Sequence, residues 1–220
     1  MSSFFNKLTE LIFENSCLIC NKTSKDFVVC GNCESDFVER KQNYIKYFQG
    51  ITVLSWGLYN GQLREGILKL KGGKKELATY FSKKLIEFWI KIPEQIKHKD
   101  YVVIPVPSHK KRIKERGFCQ STLIANKFAK SSKKDFSGQF ILRTKETKFM
   151  NSLQDINERI KNIKNAFKVR EQIPKGKDIL IIDDILTSGS TMCEVARTIH
   201  EKYPEINLVG LTVASGDTYV

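Results

Sequence analysis

The chain predicts an α/β fold, a mostly parallel sheet flanked by helices, with a small four-cysteine segment on its N-terminal side. Three observations carry that expectation. Ile179-Leu180-Ile181-Ile182 and Tyr101-Val102-Val103-Ile104-Pro105-Val106 are unbroken apolar runs rich in β-branched residues, as expected of strands buried on both faces. Stretches with helical spacing of apolar residues fall between such runs, the alternation that builds parallel sheets. Ahead of the first strand stand two Cys-x-x-Cys pairs, Cys17/Cys20 and Cys30/Cys33, separated by nine residues.

A length of 220 residues suits one ordinary domain with an appendage, here a helix and the cysteine segment over 1–45 followed by the α/β domain over 50–220. Residues 2–14 place Phe4, Phe5, Leu8 and Ile12 at helical spacing. Two Cys-x-x-Cys knuckles can converge four thiolates into the tetrahedral shell that zinc favours, a closed shell with a structural role and no place for substrate. The same cysteines suit an iron–sulfur centre. Disulfides are disfavoured, because the N-terminus lacks a basic region followed by a hydrophobic core. No apolar run is long enough to cross a membrane, so a cytoplasmic protein without membrane insertion is expected.

After a polar linker over 41–49, Ile51 to Leu58 reads as a strand. Helices follow over 61–71, ended by Gly72-Gly73, and over 74–91, with Leu77, Tyr80, Phe81, Leu85, Phe88 and Trp89 on the core side, until Pro93 breaks the pattern. The strand from Tyr101 to Val106 ends at Pro107 and opens into a basic loop, Ser108 to Gln120, with five cations between Lys110 and Arg116. A helix over 121–128 and a short strand, Phe140 to Leu142 ending in Arg143, come next. The stretch 144–155 is polar and aperiodic, as expected of a cover over a site. The strand Ile179 to Ile182 is closed by Asp183 and Asp184, a helix runs over 192–202, and Asn207 to Val213 is the last strand. Cys119 and Cys193 stand apart from the metal set; His109 alone among the histidines lies in a suggestive place, inside the basic loop.

The formal charge of +13 is unevenly spread. Residues 51–148 hold 22 Lys/Arg against 8 Asp/Glu, and the flanking parts are near neutral. A local positive field favours a polyanion, either nucleic acid or a diphosphate-bearing ligand. Thr187-Ser188-Gly189-Ser190-Thr191 presents hydroxyls and free backbone N–H groups at the start of a helix, a good seat for phosphate. A phosphate seat a few residues after a hydroxyl-binding acidic pair points to a sugar phosphate.

Residues 179–191 fill every position of the phosphoribosyl diphosphate (PRPP) signature of type I phosphoribosyltransferases, and the chain resembles that family. The resemblance implies that Asp183 and Asp184 hold the ribose hydroxyls, that Thr187, Ser188, Gly189, Ser190 and Thr191 wrap the 5-phosphate, and that Lys110, Lys111, Arg112 and Arg116 meet the diphosphate together with Mg²⁺. Pro105-Val106-Pro107, Arg116-Gly117-Phe118-Cys119-Gln120, Leu63 to Lys71, the four cysteines, and Arg159, Asn162, Ala166 and Phe167 narrow it to the ComF family. Cys119 stands where that family has Asn, and Met150-Asn151 near where it has Gln. Membership implies an N-terminal zinc finger, PRPP as ligand, and a role with a competence helicase in handling single-stranded DNA during natural transformation. The alternative is a metabolic phosphoribosyltransferase in nucleobase salvage.

Overall fold

In the computed structural model, residues 15–24, 28–37, 44–48, 50–97, 99–147 and 156–216 are described. The helix expected over 2–14, His98, and most of the expected cover, with Met150 and Asn151, lie outside them.

Six strands form the main sheet: β1 (Ile45–Phe48), β2 (Ile51–Leu58), β8 (Leu208–Ser215), β7 (Asp178–Leu186), β3 (Tyr101–Pro105) and β4 (Asp135–Phe136), in that spatial order. All neighbours are parallel except β1, which pairs antiparallel with β2. Helices α1 (Gly31–Ser35), α2 (Gly61–Lys71), α3 (Glu76–Lys91), α4 (Glu94–Lys97), α5 (Lys110–Arg116), α6 (Gln120–Ser132), α7 (Ile156–Ile163) and α8 (Ser190–His200) connect them. A separate antiparallel pair, β5 (Ile141–Arg143) and β6 (Phe167–Val169), stands beside the main sheet.

The central strand β7 shows why both faces must be covered. Successive side chains on a strand alternate sides, and Ile179, Leu180, Ile181 and Ile182 are all fully buried. Leu180 and Ile182 join the core beneath α2, α3 and α6, while Ile179 and Ile181 join the core beneath α8 and the β5–β6 pair. The expected aromatic face of α3 is core: Trp89 meets Tyr101 edge-to-face at 5.9 Å and Phe128 at 6.0 Å. Tyr101 satisfies its hydroxyl on the Ile96 carbonyl at 2.7 Å. In β2 and β8, Ser55 and Thr212 are fully buried and bond to each other at 2.8 Å, so neither hydroxyl is stranded in the core.

Three expectations need correction. The stretch assigned to a polar linker contains β1, an edge strand whose Tyr47 is 78% exposed. A strand with one half-exposed edge has too little apolar patterning to stand out. Asp183 and Asp184 do not close their strand: β7 runs on to Leu186, with Asp183 opposite Thr212 and Ile185 opposite Ala214 of β8. The backbone keeps pairing because β8 is long enough to receive it. Finally, the basic loop is largely a helix, α5. His109 caps it through Nδ1, accepting from the Lys111 N–H at 3.3 Å, and Gly117 ends it at φ +78°.

The cysteine segment packs directly on this frame. Cys17, Ile19, Val29 and Cys33 belong to the same buried cluster as Leu63, Ile67 and Phe81. Ile19 lies against Gly66 of α2, where an added Cβ would come within 3.0 Å of its Cδ1.

Candidate functional site

At the carboxyl end of β7 and β3 opens a cavity of about 300 Å³, lined among others by Lys71, Ser108, Arg112, Arg116, Gln120, Arg143, Asp183, Asp184, Thr187 and Thr191. Ligands of open α/β sheets collect at this end, because the strands stop there and the connecting loops diverge. A second cavity of similar size, about 310 Å³, lies by β4 and is lined by apolar residues together with Asp135, Ser137, Glu171 and Gln172, with no cation among its lining residues.

Asp184 is buried and pairs through Oδ2 with Lys71 Nζ at 3.1 Å. Asp183 accepts the Asp184 N–H at 2.9 Å. Burial first, and the adjacent Asp184 charge second, push the Asp183 carboxyl well above the usual carboxylate range, against the pull of that N–H and of Lys71. Such a carboxylate favours a ligand that brings hydroxyl donors or a cation.

Beyond the acids, the backbone turns at Gly189, whose φ is +76°. An added Cβ there would fall 2.5 Å from Phe48 Cε1, so the phosphate-type loop lies flat on a β1 ring. Gly189 is the N-cap of α8 and supplies no side-chain cap to its first turn, leaving those N–H groups for an anion. Thr187 and Thr191 line the cavity, Ser190 is buried, and the Ser188 and Ser190 hydroxyls are 3.0 Å apart.

Helical periodicity divides the basic run. Arg112 and Arg116, four residues apart on one side of α5, line the cavity, whereas Lys110, Lys111 and Lys114 are exposed and do not. Lys111 pairs instead with Glu146 at 2.9 Å on the surface. Arg112 donates Nη2 to the Thr147 carbonyl at 3.1 Å, and Arg116 donates to Gln120 Oε1 at 3.3 Å. Burial, then the charge of Arg116, draws the Arg112 guanidinium below its ordinary value.

Cys119 is the N-cap of α6, and its Sγ lies 3.3 Å from Ser108 Oγ and 3.1 Å from Ser121 Oγ. Burial raises its thiol, but hydrogen bonding with Ser108, Ser121 and Thr122 outweighs it and the net shift is downward. The thiol thus fills a small polar knot behind the cavity. Lys71, Ser108, Gln120 and Arg143 were not singled out from sequence as site residues. Lys71 and Gln120 sit inside the quoted motifs, which offered a signal; Arg143 offered none beyond its place at a strand end. Arg159 is half-buried on α7.

The four cysteines form a second site. Cys17 and Cys33 Sγ are 3.8 Å apart, as are Cys20 and Cys30, and all four sulfurs lie within 4.8 Å of one another. A tetrahedral shell with metal–sulfur bonds of about 2.3 Å requires sulfurs about 3.8 Å apart, so the set has the size of a shell around one ion and is compatible with structural zinc. Backbone N–H groups of Ile19 and Cys30 reach Cys17 Sγ at 3.4 and 3.3 Å. Burial raises the Cys17 thiol, yet N–H donors from Cys20, Cys30 and Ile19 bring it down to about 6, suiting a thiolate ligand.

Residues 120–216, which hold α6, β7 with its acidic pair and loop, α8 and β8, match the phosphoribosyl transferase domain. Competence protein ComFC of Bacillus subtilis (strain 168) is 26% identical over 187 residues, spanning 84% of this chain and 72% of that protein. Competence protein F of Haemophilus influenzae is 25% identical over 218 residues, 90% of each. DNA utilization protein YhgH of Escherichia coli O157:H7 is 32% identical over 97 residues, 44% of this chain and 42% of that protein. The stretch similar to the phosphoribosyl transferase domain and to ComFC, competence protein F and YhgH is joined here to a four-cysteine cluster. Among solved structures, a Helicobacter pylori xanthine-guanine-hypoxanthine phosphoribosyltransferase overlaps 67% of this chain and 78% of that one, at 15% identity and a TM-score of 0.41, too loose a likeness to carry a substrate across.

Proposed function

We propose that the chain binds PRPP with Mg²⁺ at the carboxyl end of β7 and acts in the handling of transforming single-stranded DNA. One observation carries the ligand: Asp183, Asp184, Thr187, Thr191, Arg112 and Arg116 line a single cavity. The acids would accept hydrogen bonds from the ribose 2- and 3-hydroxyls. The N–H groups and hydroxyls from Thr187 to Thr191 would hold the 5-phosphate at the start of α8. Arg112 and Arg116 would offset the charge of the diphosphate. Asp183 and Asp184, the carboxylates of the cavity, would hold a bound Mg²⁺, which would neutralise further diphosphate charge.

The same arrangement suits displacement at the ribose anomeric carbon. The bond from C1 to the diphosphate oxygen breaks with its electron pair leaving on the diphosphate, and an acceptor atom forms the new bond to C1. No protein nucleophile is needed; the side chains hold the sugar and stabilise the leaving charge.

The DNA role is drawn from the homologous competence proteins and from the two-sided nature of α5. With Arg112 and Arg116 turned to the cavity and Lys111 paired with Glu146, the exposed Lys110 and Lys114 are left for a phosphate backbone. A competence helicase and a cytoplasmic setting belong to the same reading. Calorimetry tests the ligand: PRPP with Mg²⁺ binds the wild type and not Asp183→Asn/Asp184→Asn, and equal binding by the double variant would remove the assignment. A deletion strain scored in parallel for transformation and nucleobase salvage tests the role, with loss of transformation alone expected.

A further inference from the structure

Four cations and two carboxylates line the main cavity. Lys71 is paired with Asp184, Arg116 is held by Gln120, and Arg112 by the Thr147 carbonyl. Arg143 ends β5 with only 9% of its surface exposed, and it differs from Lys71 in lacking a carboxylate ion pair among the described residues and from the other two arginines in the state of its Nε. Its Nη2 donates to Thr147 Oγ1, its guanidinium carbon lies 5.6 Å from the centre of the Phe167 ring, and its buried Nε has no hydrogen-bond partner among the described residues. Phe167 is the register partner of Arg143 on β6 and is itself buried, so the ring and the Thr147 hydroxyl fix the plane of the guanidinium. Burial, then the neighbouring Arg112, lower Arg143 to about 10, opposed by the more favourable field of Asp183.

A buried guanidinium with an unused donor and a second arginine beside it is costly without an anion. The planar fork matches the two oxygens of a carboxylate or phosphate. On the reading proposed above, the donor diphosphate is met by α5, whereas Arg143 comes from the β5–β6 pair, which forms another wall of the cavity. We propose that Arg143 is an oxyanion subsite for the second ligand that shares the cavity with the phosphoribosyl group, a small molecule bearing a carboxylate or phosphate rather than a neutral nucleobase. The proposal rests on PRPP occupying the Asp183–Thr191 end.

The test uses the full chain and two probes, inorganic phosphate and benzoate, with benzamide as the uncharged counterpart of benzoate, followed by ligand-observed NMR and calorimetry with and without PRPP and Mg²⁺. Both anions are expected to bind alongside PRPP, benzamide is not, and Arg143→Met weakens both anions by about tenfold or more while PRPP affinity stays within about threefold. Arg143→Lys, which keeps the charge without the fork, falls between. Thr147→Val removes the hydroxyl that helps fix the guanidinium plane and should weaken both anions by a smaller factor than Arg143→Met while leaving PRPP affinity unchanged; anion affinities unchanged by it would count against the proposal even if Arg143→Met folds poorly. Anion affinities unchanged by either Arg143 variant would overturn the proposal. So would anions that bind only when PRPP is absent, joined to an Arg143→Met loss confined to inorganic diphosphate, since the arginine would then serve the donor. Failure of the wild type to bind PRPP would instead strike the reading it rests on, and the arm without PRPP would still report whether Arg143 holds an anion.

Discussion

Replacing Gly189 by alanine tests how the loop after the acidic pair is shaped. Two costs can be read from the structure. The residue sits at φ +76°, where an L side chain costs about 1–2 kcal/mol. The new Cβ would also stand 2.5 Å from Cε1 and 2.6 Å from Cζ of Phe48, and overpacking of this kind costs about 1–3 kcal/mol. The sum, about 2–5 kcal/mol, is a large share of the roughly 5–15 kcal/mol that holds an ordinary domain together, and corresponds to a fall of about 5–15 °C in Tm. Phe48→Leu removes the two ring atoms in closest conflict, so it should recover the steric part and leave the backbone part. A double-mutant cycle by urea unfolding would then show a favourable coupling of about 1–3 kcal/mol, while PRPP affinity remains weakened in both Gly189→Ala proteins because the N–H groups of the loop are displaced. A Gly189→Ala protein as stable as wild type, or a coupling near zero, would refute the claim that the Phe48 ring and the left-handed turn set this loop.

Three other outcomes are expected. Purified protein should carry about one zinc per chain, and Cys17→Ser or prolonged chelation should remove it and expose Ile19 and Val29 to proteolysis or hydrogen exchange before the main sheet opens; a metal content well below one, or a segment indifferent to chelation, would count against the assignment. Lys71→Met leaves the buried Asp184 carboxylate without its ion partner and should destabilise the protein by about 1–3 kcal/mol at neutral pH, a loss visible in chemical unfolding and reduced in Lys71→Met/Asp184→Asn. Asp183 has its folded pKa raised by burial and by Asp184, so the folded state holds the proton more tightly than the unfolded chain. Its contribution is favourable at low pH and is lost as pH rises from the ordinary value of 3.8 through the raised one. Asp183→Asn should therefore flatten that part of the stability–pH curve and make the ligand-free protein more stable near neutrality, while abolishing PRPP binding; a curve identical to wild type would show that the Asp183 carboxyl is not under that strain.

The acidic pair and its loop were legible because their chemistry is local. A buried strand, two acids and a run of small hydroxyl residues around a glycine lie within thirteen consecutive residues, and no distant contact is needed to bring them together. The cysteine pairs were legible for a similar reason: each knuckle closes over four residues, and a metal demands only that two knuckles meet. The long strands and helices followed from periodicity, whereas β1, β4 and β6 run for four, two and three residues and are too short to show a period.

What the sequence determined by itself is the class of fold, the four-cysteine set, and the place of the acidic pair and its hydroxyl-rich loop at the end of β7. Tertiary structure decided how the cations are used. Seven residues with five cations became a helix with Arg112 and Arg116 toward the cavity and three lysines toward solvent, while Lys71 from α2 and Arg143 from β5 arrived across the chain to face the same acids. Charge is additive along a sequence, but its effect depends on distance and burial, and both are fixed only when the helices pack on the sheet.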